Sequence, residues 1–366
     1  MGIEARVRPA ERPGGPAGVN RVLVLVLGAS GTMGRRIVAL LRREAPELRV
    51  IGASRHPERI GTPEARRLDL ADPASFAPAL EGVRVLVHAA GPYDHDPRLL
   101  VAACLARGAD YVDLAEDPAF IARVRAAAQG AEVRSRVVPG CSTVPGMVAL
   151  LARGFDSLER SADVARIDAH LSLGSRNPVS FGLLHGLLRP LGAPGPSGAP
   201  WFRKLQRFRF ADGLTRSFGS YPIALGEGVA VGGRRVPVRL FVGFDRGFVN
   251  LALSQAARFV PSLDAPTLAR LARWALPVAN AARAVGGSQG RLSVDALDAE
   301  GRRLAAIELR ADREGLDVPA TPAVWAARRL AEGAEIPPGV RSLDEILPLA
   351  EALDHLRKRG YTVVEV

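Results

Sequence analysis

Along this chain the period of the apolar positions changes repeatedly, and the changes locate its elements. Residues 22–27, Val-Leu-Val-Leu-Val-Leu, form an apolar run without polar alternation, which predicts a strand buried on both faces of a parallel sheet. The run enters Gly28-Ala29-Ser30-Gly31-Thr32-Met33-Gly34, after which Ile37, Leu40 and Leu41 recur at helical spacing until Pro46. A second strand at 48–53 completes a βαβ unit. A third strand is expected at 67–70, a short helix at 76–80, and a fourth strand at 83–88 that ends in Ala89-Ala90-Gly91-Pro92-Tyr93. Leu99, Leu100, Ala103, Cys104 and Ala106 mark a further helix that Gly108 closes; residues 111–114 read as a strand, 118–129 as a helix and 136–138 as a strand. Beyond residue 150, strands are expected at 164–173 and 239–253, a Gly/Pro loop at 191–200, a hairpin over 290–310 turning at Ala299-Glu300-Gly301, and helices at 323–331 and 343–356.

The three glycines give the first unit its chemistry. Gly28 permits a tight turn, Gly31 lets the backbone approach a pyrophosphate, and Gly34 lets the helix pack close to the strand. Amides at the helix start, among them those of Ser30, Thr32 and Met33, then meet phosphate charge. The end of the second strand chooses between nucleotides. NAD sites place a carboxylate there for the ribose 2′-hydroxyl, whereas this chain has Ser54-Arg55-His56, a hydroxyl and a guanidinium suited to a 2′-phosphate. NADP is therefore expected rather than NAD, with Asp69 at the adenine edge and Ala90 and Gly91 leaving room at the strand tips.

Composition narrows the field. With 366 residues, 48% of them hydrophobic, the chain is long enough for two cored domains. The formal charge of +11 rests almost wholly on scattered arginine, since Lys204 and Lys358 are the two lysines, and aromatic content is 5%; a nucleic-acid surface would cluster charge with aromatics. No nucleic-acid partner and no membrane span are expected, and Cys104 and Cys141 alone fit a reducing, cytoplasmic setting without disulfides. No metal site is expected. The tyrosine and lysine four residues apart that short-chain dehydrogenases use are missing, because Pro200 and Asp354 stand four before the lysines.

The order of pieces from Gly28-Ala29-Ser30-Gly31-Thr32-Met33-Gly34 through Ala90-Gly91-Pro92-Tyr93, Ala103-Cys104, residues 108–114 and Val144-Pro145-Gly146 resembles the saccharopine dehydrogenase-like family of NADP-binding oxidoreductases. A weaker likeness continues through Gly174-Ser175-Arg176-Asn177-Pro178 and Gly290-Arg291-Leu292 to 319–324. The resemblance implies an α/β protein: an N-terminal Rossmann domain with a doubly wound parallel sheet, and a second α/β domain on a mixed or antiparallel sheet. The expected division is a disordered lead-in at 1–20, the NADP-binding domain at 21–150, a substrate and dimerisation domain at 151–312, and a helical segment at 313–366 returning to the first domain, with a homodimer possible.

The implied chemistry is hydride transfer to or from a carbon bonded to nitrogen or oxygen in a small, amino-acid-derived substrate. Tyr93 and Asp113 are the candidate catalytic groups, and Arg176, Asn177 and His185 the candidate substrate contacts. His95, between Asp94 and Asp96, is expected on the surface with its pKa raised by those carboxylates. Two alternatives stay open. Cys141, in Pro-Gly-Cys, could be the nucleophile of a semialdehyde-dehydrogenase-like enzyme served by His170 or His185. The chain could also be a non-catalytic NADP-binding sensor.

Overall fold

A computed structural model describes residues 21–366 apart from 130–133, 178, 196, 197, 227, 313, 314, 316 and 334; the expected lead-in, residues 1–20, lies outside the described residues. The first half alternates strand and helix: β1 Leu23–Leu27, α1 Thr32–Glu44, β2 Arg49–Ser54, β3 Arg66–Arg67, α2 Phe76–Ala79, β4 Val85–His88, α3 Arg98–Ala106, β5 Asp110–Asp113, α4 Pro118–Ala127 and β6 Arg136–Val138. All five side chains of β1 are buried, as an apolar run without alternation requires. Its neighbours β2 and β4 run parallel to it. Strand order across this sheet is β15-β6-β5-β4-β1-β2-β3, where β15 is Gly339–Val340, and every pairing is parallel. The chain reverses direction of build between β1 and β4, which is where doubly wound sheets leave a crevice beyond their strand ends.

The second half is built from α5 Val148–Ala152, β7 Arg166–Leu173, α6 Phe181–Leu188, β8 Leu205–Arg209, β9 Thr215–Tyr221, β10 Val229–Val231, β11 Arg234–Val236, β12 Val238–Phe244, α7 Gly247–Ala256, α8 Ala265–Ala281, β13 Gly290–Leu297 and β14 Arg303–Ala311. After it come α9 Thr321–Ala331, β15, α10 Leu343–Ile346, α11 Leu349–Lys358 and β16 Thr362–Glu365. The second sheet has the order β16-β14-β13-β7-β12-β9-β8 and is mixed, with β7 and β12 parallel and the other pairs antiparallel. The architecture is thus a Rossmann-type parallel sheet joined to a mixed α/β sheet. Among the described residues no helix is long and apolar enough to cross a membrane.

Several elements differ from the sequence expectation. β3 stops at Arg67 because the Asp69 carboxylate accepts from the Ala71 amide at 3.1 Å and turns the chain away. Residues 239–253 are not one strand. β12 ends at Phe244 and α7 begins three residues later, held back against the sheet by Asn250, whose side chain bonds the Phe244 amide at 2.7 Å and the Ser217 carbonyl at 2.9 Å. The expected helix at 343–356 is broken by Pro348 into α10 and α11. The segment 313–366 joins both sheets: β15 pairs with β6 in the first, while β16, unexpected, pairs with β14 in the second.

Candidate functional site

One cavity of about 1480 Å³ runs from the carboxyl tips of the first sheet to a face of the second. The glycine turn forms one end. Gly28 has φ +85°, and a Cβ on it would lie 2.8 Å from the Ala90 amide nitrogen, so glycine is what allows β1 and the β4 tip to meet. At Gly34 a Cβ would stand 2.2 Å from the Gly28 carbonyl oxygen, which is how the glycine lets α1 pack against the turn. Gly31 differs. A Cβ there would approach the Gly28 carbonyl at 3.2 Å and otherwise point into the cavity, leaving exposed backbone where a phosphate would lie. The cavity wall contains Gly28, Ser30, Gly31, Thr32, Met33, Ser54, Arg55, Asp69, Ala90 and Gly91; Gly34 lies behind it. Ser54 is buried, with its Oγ accepting from the His56 amide at 3.1 Å, while Arg55 is exposed at the cavity edge. These residues fit a dinucleotide with a phosphorylated ribose.

The candidate chemical groups separate. Tyr93 lines the cavity, but its hydroxyl donates to the His88 carbonyl at 2.9 Å, and burial pushes its pKa well up. Asp113 does not reach the cavity wall. It is fully buried, and its Oδ1 accepts from the Gly140 amide at 2.8 Å and the Ala115 amide at 2.9 Å, tying the ends of β5 and β6 together. Burial raises its carboxyl to about 6 against those bonds. The cap of α4 is Asp117, which accepts from the Phe120 amide at 2.8 Å. His88 is completely buried, hydrogen-bonded through Nδ1 to Tyr111 Oη at 3.0 Å, and desolvation holds it neutral, near 3. His95 is a correction: it is half-buried on the cavity wall against His88 and Phe120, and burial lowers its pKa rather than the flanking carboxylates raising it.

Of the expected substrate contacts, Asn177 and His185 line the cavity, whereas Arg176 is exposed outside it, its carbonyl accepting from Arg283 Nε at 2.9 Å. Glu116 was not singled out in the sequence. It faces the cavity and accepts from Ser142 Oγ at 2.7 Å; its place three residues after a strand end and opposite a Gly-Cys-Ser turn was the available signal. Enclosure raises its pKa above the usual glutamate range. Cys141 is fully buried off the cavity, its thiol turned to the Val138 carbonyl at 3.5 Å and its pKa pushed well up by burial, the opposite of an activated thiolate. His170 is packed between Phe208 and Phe241 and bonds Asp295 at 3.2 Å, away from the cavity wall.

A parallel sheet with a glycine turn at its switch point, opening onto a cavity floored by a second sheet, defines a Rossmann-type dinucleotide-binding protein. Residues 24–137 match the family model described as the saccharopine dehydrogenase NADP binding domain, and this region is a saccharopine dehydrogenase-like NADP-binding domain. The chain is similar in fold to apo saccharopine dehydrogenase (L-Glu forming) from Saccharomyces cerevisiae, with TM-score 0.62 and 14% identity over 94% of this chain and 99% of that one. An amine dehydrogenase from Mycobacterium smegmatis matches with TM-score 0.45 and 14% identity over 90% of this chain and 96% of that one. A triphenylmethane reductase from Citrobacter sp. matches 31% of this chain and 47% of its own, with 20% identity and TM-score 0.28. No curated protein matches the chain.

Proposed function

We propose that the chain is an NADP-dependent oxidoreductase of saccharopine dehydrogenase type that moves a hydride to or from a substrate carbon bonded to nitrogen or oxygen. The observation that carries this reading is the continuity of one cavity from the glycine turn and Arg55 to the second sheet, so that a nucleotide and a second molecule share one enclosed space. Bound NADP supplies the hydride chemistry. The chain holds the pyrophosphate on the Gly28–Met33 turn and the start of α1, orients the ribose phosphate with Ser54 and Arg55, and excludes water with the walls contributed by α6 and α7. Glu116, with Ser142 donating to it, is the carboxyl positioned to exchange a proton with the substrate; Tyr93 would do so only by releasing its bond to His88.

The test is direct. Purified protein is expected to bind NADPH more tightly than NADH, and Arg55→Ala to cost roughly ten-fold or more in NADPH affinity with little change for NADH, the size of one charge-assisted hydrogen bond. Equal affinities in the native protein would remove the argument from Arg55. NADPH binding without oxidation of it by any carbonyl, imine or enoyl compound would instead point to a sensor.

A further inference from the structure

The half of the cavity beyond the nucleotide end has a composition that does not suit an amino acid. Its floor is a row across four strands of the second sheet: Val242 on β12 stands beside Leu171 on β7, Leu171 beside Leu292 on β13, and Leu292 beside Leu309 on β14. In a sheet such aligned neighbours share one face, so the row forms a continuous aliphatic surface. The same space is bordered by Phe181 and Leu187 of α6 and by Val249 and Leu253 of α7. The arginines of the cavity wall are Arg55, Arg189 and Arg291 among the described residues. Arg55 belongs to the nucleotide end. Arg189 pairs with Asp117 at 3.2 Å, and Arg291 pairs with Asp212 at 2.7 Å while its Nε donates to Gln289 at 2.7 Å and its guanidinium lies over Phe210.

Each arginine of this half is therefore already matched by an acid. A substrate carboxylate entering it would lose hydration and meet no free guanidinium or ammonium, only the imidazole of His185 stacked on Phe181, which is costly in an enclosed site. An apolar body gains instead, at about 25 cal/mol for each Å² removed from water. Ala252 on α7 and Leu183 on α6 are at once cavity-lining and exposed, and mark where the space opens; the adjoining Phe248 and Leu251 are more than half exposed. A hydrocarbon reaching that opening crosses apolar surface.

We infer that the second ligand is a molecule with an extended uncharged apolar body, of the class of long-chain or bulky hydrophobic carbonyl or imine compounds, seated on the Val242–Leu171–Leu292–Leu309 row with its reactive carbon toward the nucleotide end. This rests on the oxidoreductase reading for the reactive carbon, whereas the apolar seat rests on the cavity alone.

The two are separated by measuring two ligands on the full chain. N-phenyl-1-naphthylamine, an uncharged fluorescent probe, reports the apolar seat, and energy transfer from protein to NADPH reports the nucleotide site. The probe is expected to bind saturably at one per chain, to be displaced by dodecanal and not by glutamate or lysine, and to weaken roughly ten-fold or more in Leu171→Gln and in Ala252→Trp. NADPH affinity should be unchanged in both variants, which also shows that they fold. Ala252 is exposed, so its variant carries the test should Leu171→Gln not fold. Displacement by amino acids, or a probe signal indifferent to Ala252→Trp, overturns the apolar seat. Absence of NADPH binding with the probe result intact would overturn the oxidoreductase reading and leave the seat standing.

Discussion

At the scale of single residues, Gly31 and Gly34 carry different loads although they stand three apart in one motif. Gly34 is compelled by packing, because any side chain there would strike the Gly28 carbonyl. Gly31 has space above it, and that space is the cavity. Gly31→Val is therefore expected to leave a folded protein, by circular dichroism and thermal melting, that no longer binds NADPH in the energy-transfer titration. Retained affinity would mean that the glycine serves the turn and not the nucleotide. Cys141 shows the opposite lesson, since a residue type that suggests a nucleophile is placed by the fold where its thiol is inert.

At the scale of elements, Asp113 is a clamp between parallel strands. Its Oδ1 receives the amides of Ala115 and Gly140, and among the described residues its Oδ2 has no hydrogen-bond partner. The carboxyl titrates near 6 in the fold against an ordinary 3.8, so the native state binds the extra proton between those values, and stability falls as pH rises from about 4 to about 6. The loss amounts to about 3 kcal/mol, since each pKa unit is worth about 1.4 kcal/mol. Asp113→Asn keeps the acceptor and removes the buried charge. Denaturant unfolding of this variant should show no such slope and greater stability than the native chain at pH 7, with NADPH affinity unchanged. Loss of turnover at unchanged stability would instead give Asp113 a catalytic role.

At the scale of the molecule, the C-terminal segment locks the first sheet to the second. Glu44 at the end of α1 receives a hydrogen bond from Arg359, which follows α11, and lies 3.2 Å from His355 Nε2; Trp325 of α9 donates to His355 Nδ1, which leaves the proton on Nε2 facing Glu44. A second tie joins Arg36 of α1 to Asp317 at 2.7 Å. Burial would raise the Glu44 carboxyl, but the bonds from His355 and Arg359 outweigh it and hold it at about 2. Its contribution is thus complete above about 4.5, the ordinary value, and lost as pH falls toward 2. Glu44→Gln leaves Arg359 nearly buried without its charged partner, with only its bond to Thr321 Oγ1 kept. It should cost about 3 kcal/mol at pH 7 and flatten the acid limb of the stability profile between those values. An unchanged midpoint in urea would show that the three-residue contact contributes nothing.

Local physics made much of the first sheet readable. An apolar run without alternation, a glycine turn and a helical period each depend on neighbours within a few residues, so β1, α1 and β2, the turn at the switch point and the pair Ser54-Arg55 were legible before any contact was known. The hairpin at 290–310 was legible for the same reason. Helix α7 was not, because the residues it buries are the polar Asn250 and Ser254 while Phe248 and Leu251 are exposed, so its apolar positions do not mark the packed face, and β16 was not, because four residues become a strand only by pairing with β14 far back in the chain. The site divides likewise. Residue types alone pointed to a nucleotide-binding turn and to Ser54 and Arg55 as the expected seat of an added phosphate. Tertiary structure decided that Asp113 and Cys141 are sealed in the core, that Arg176 lies outside, that Glu116 faces the cavity, and that four strands align aliphatic side chains into its floor. Those outcomes depend on which distant segments exclude water from a side chain, and burial of that kind is a property of the assembled fold.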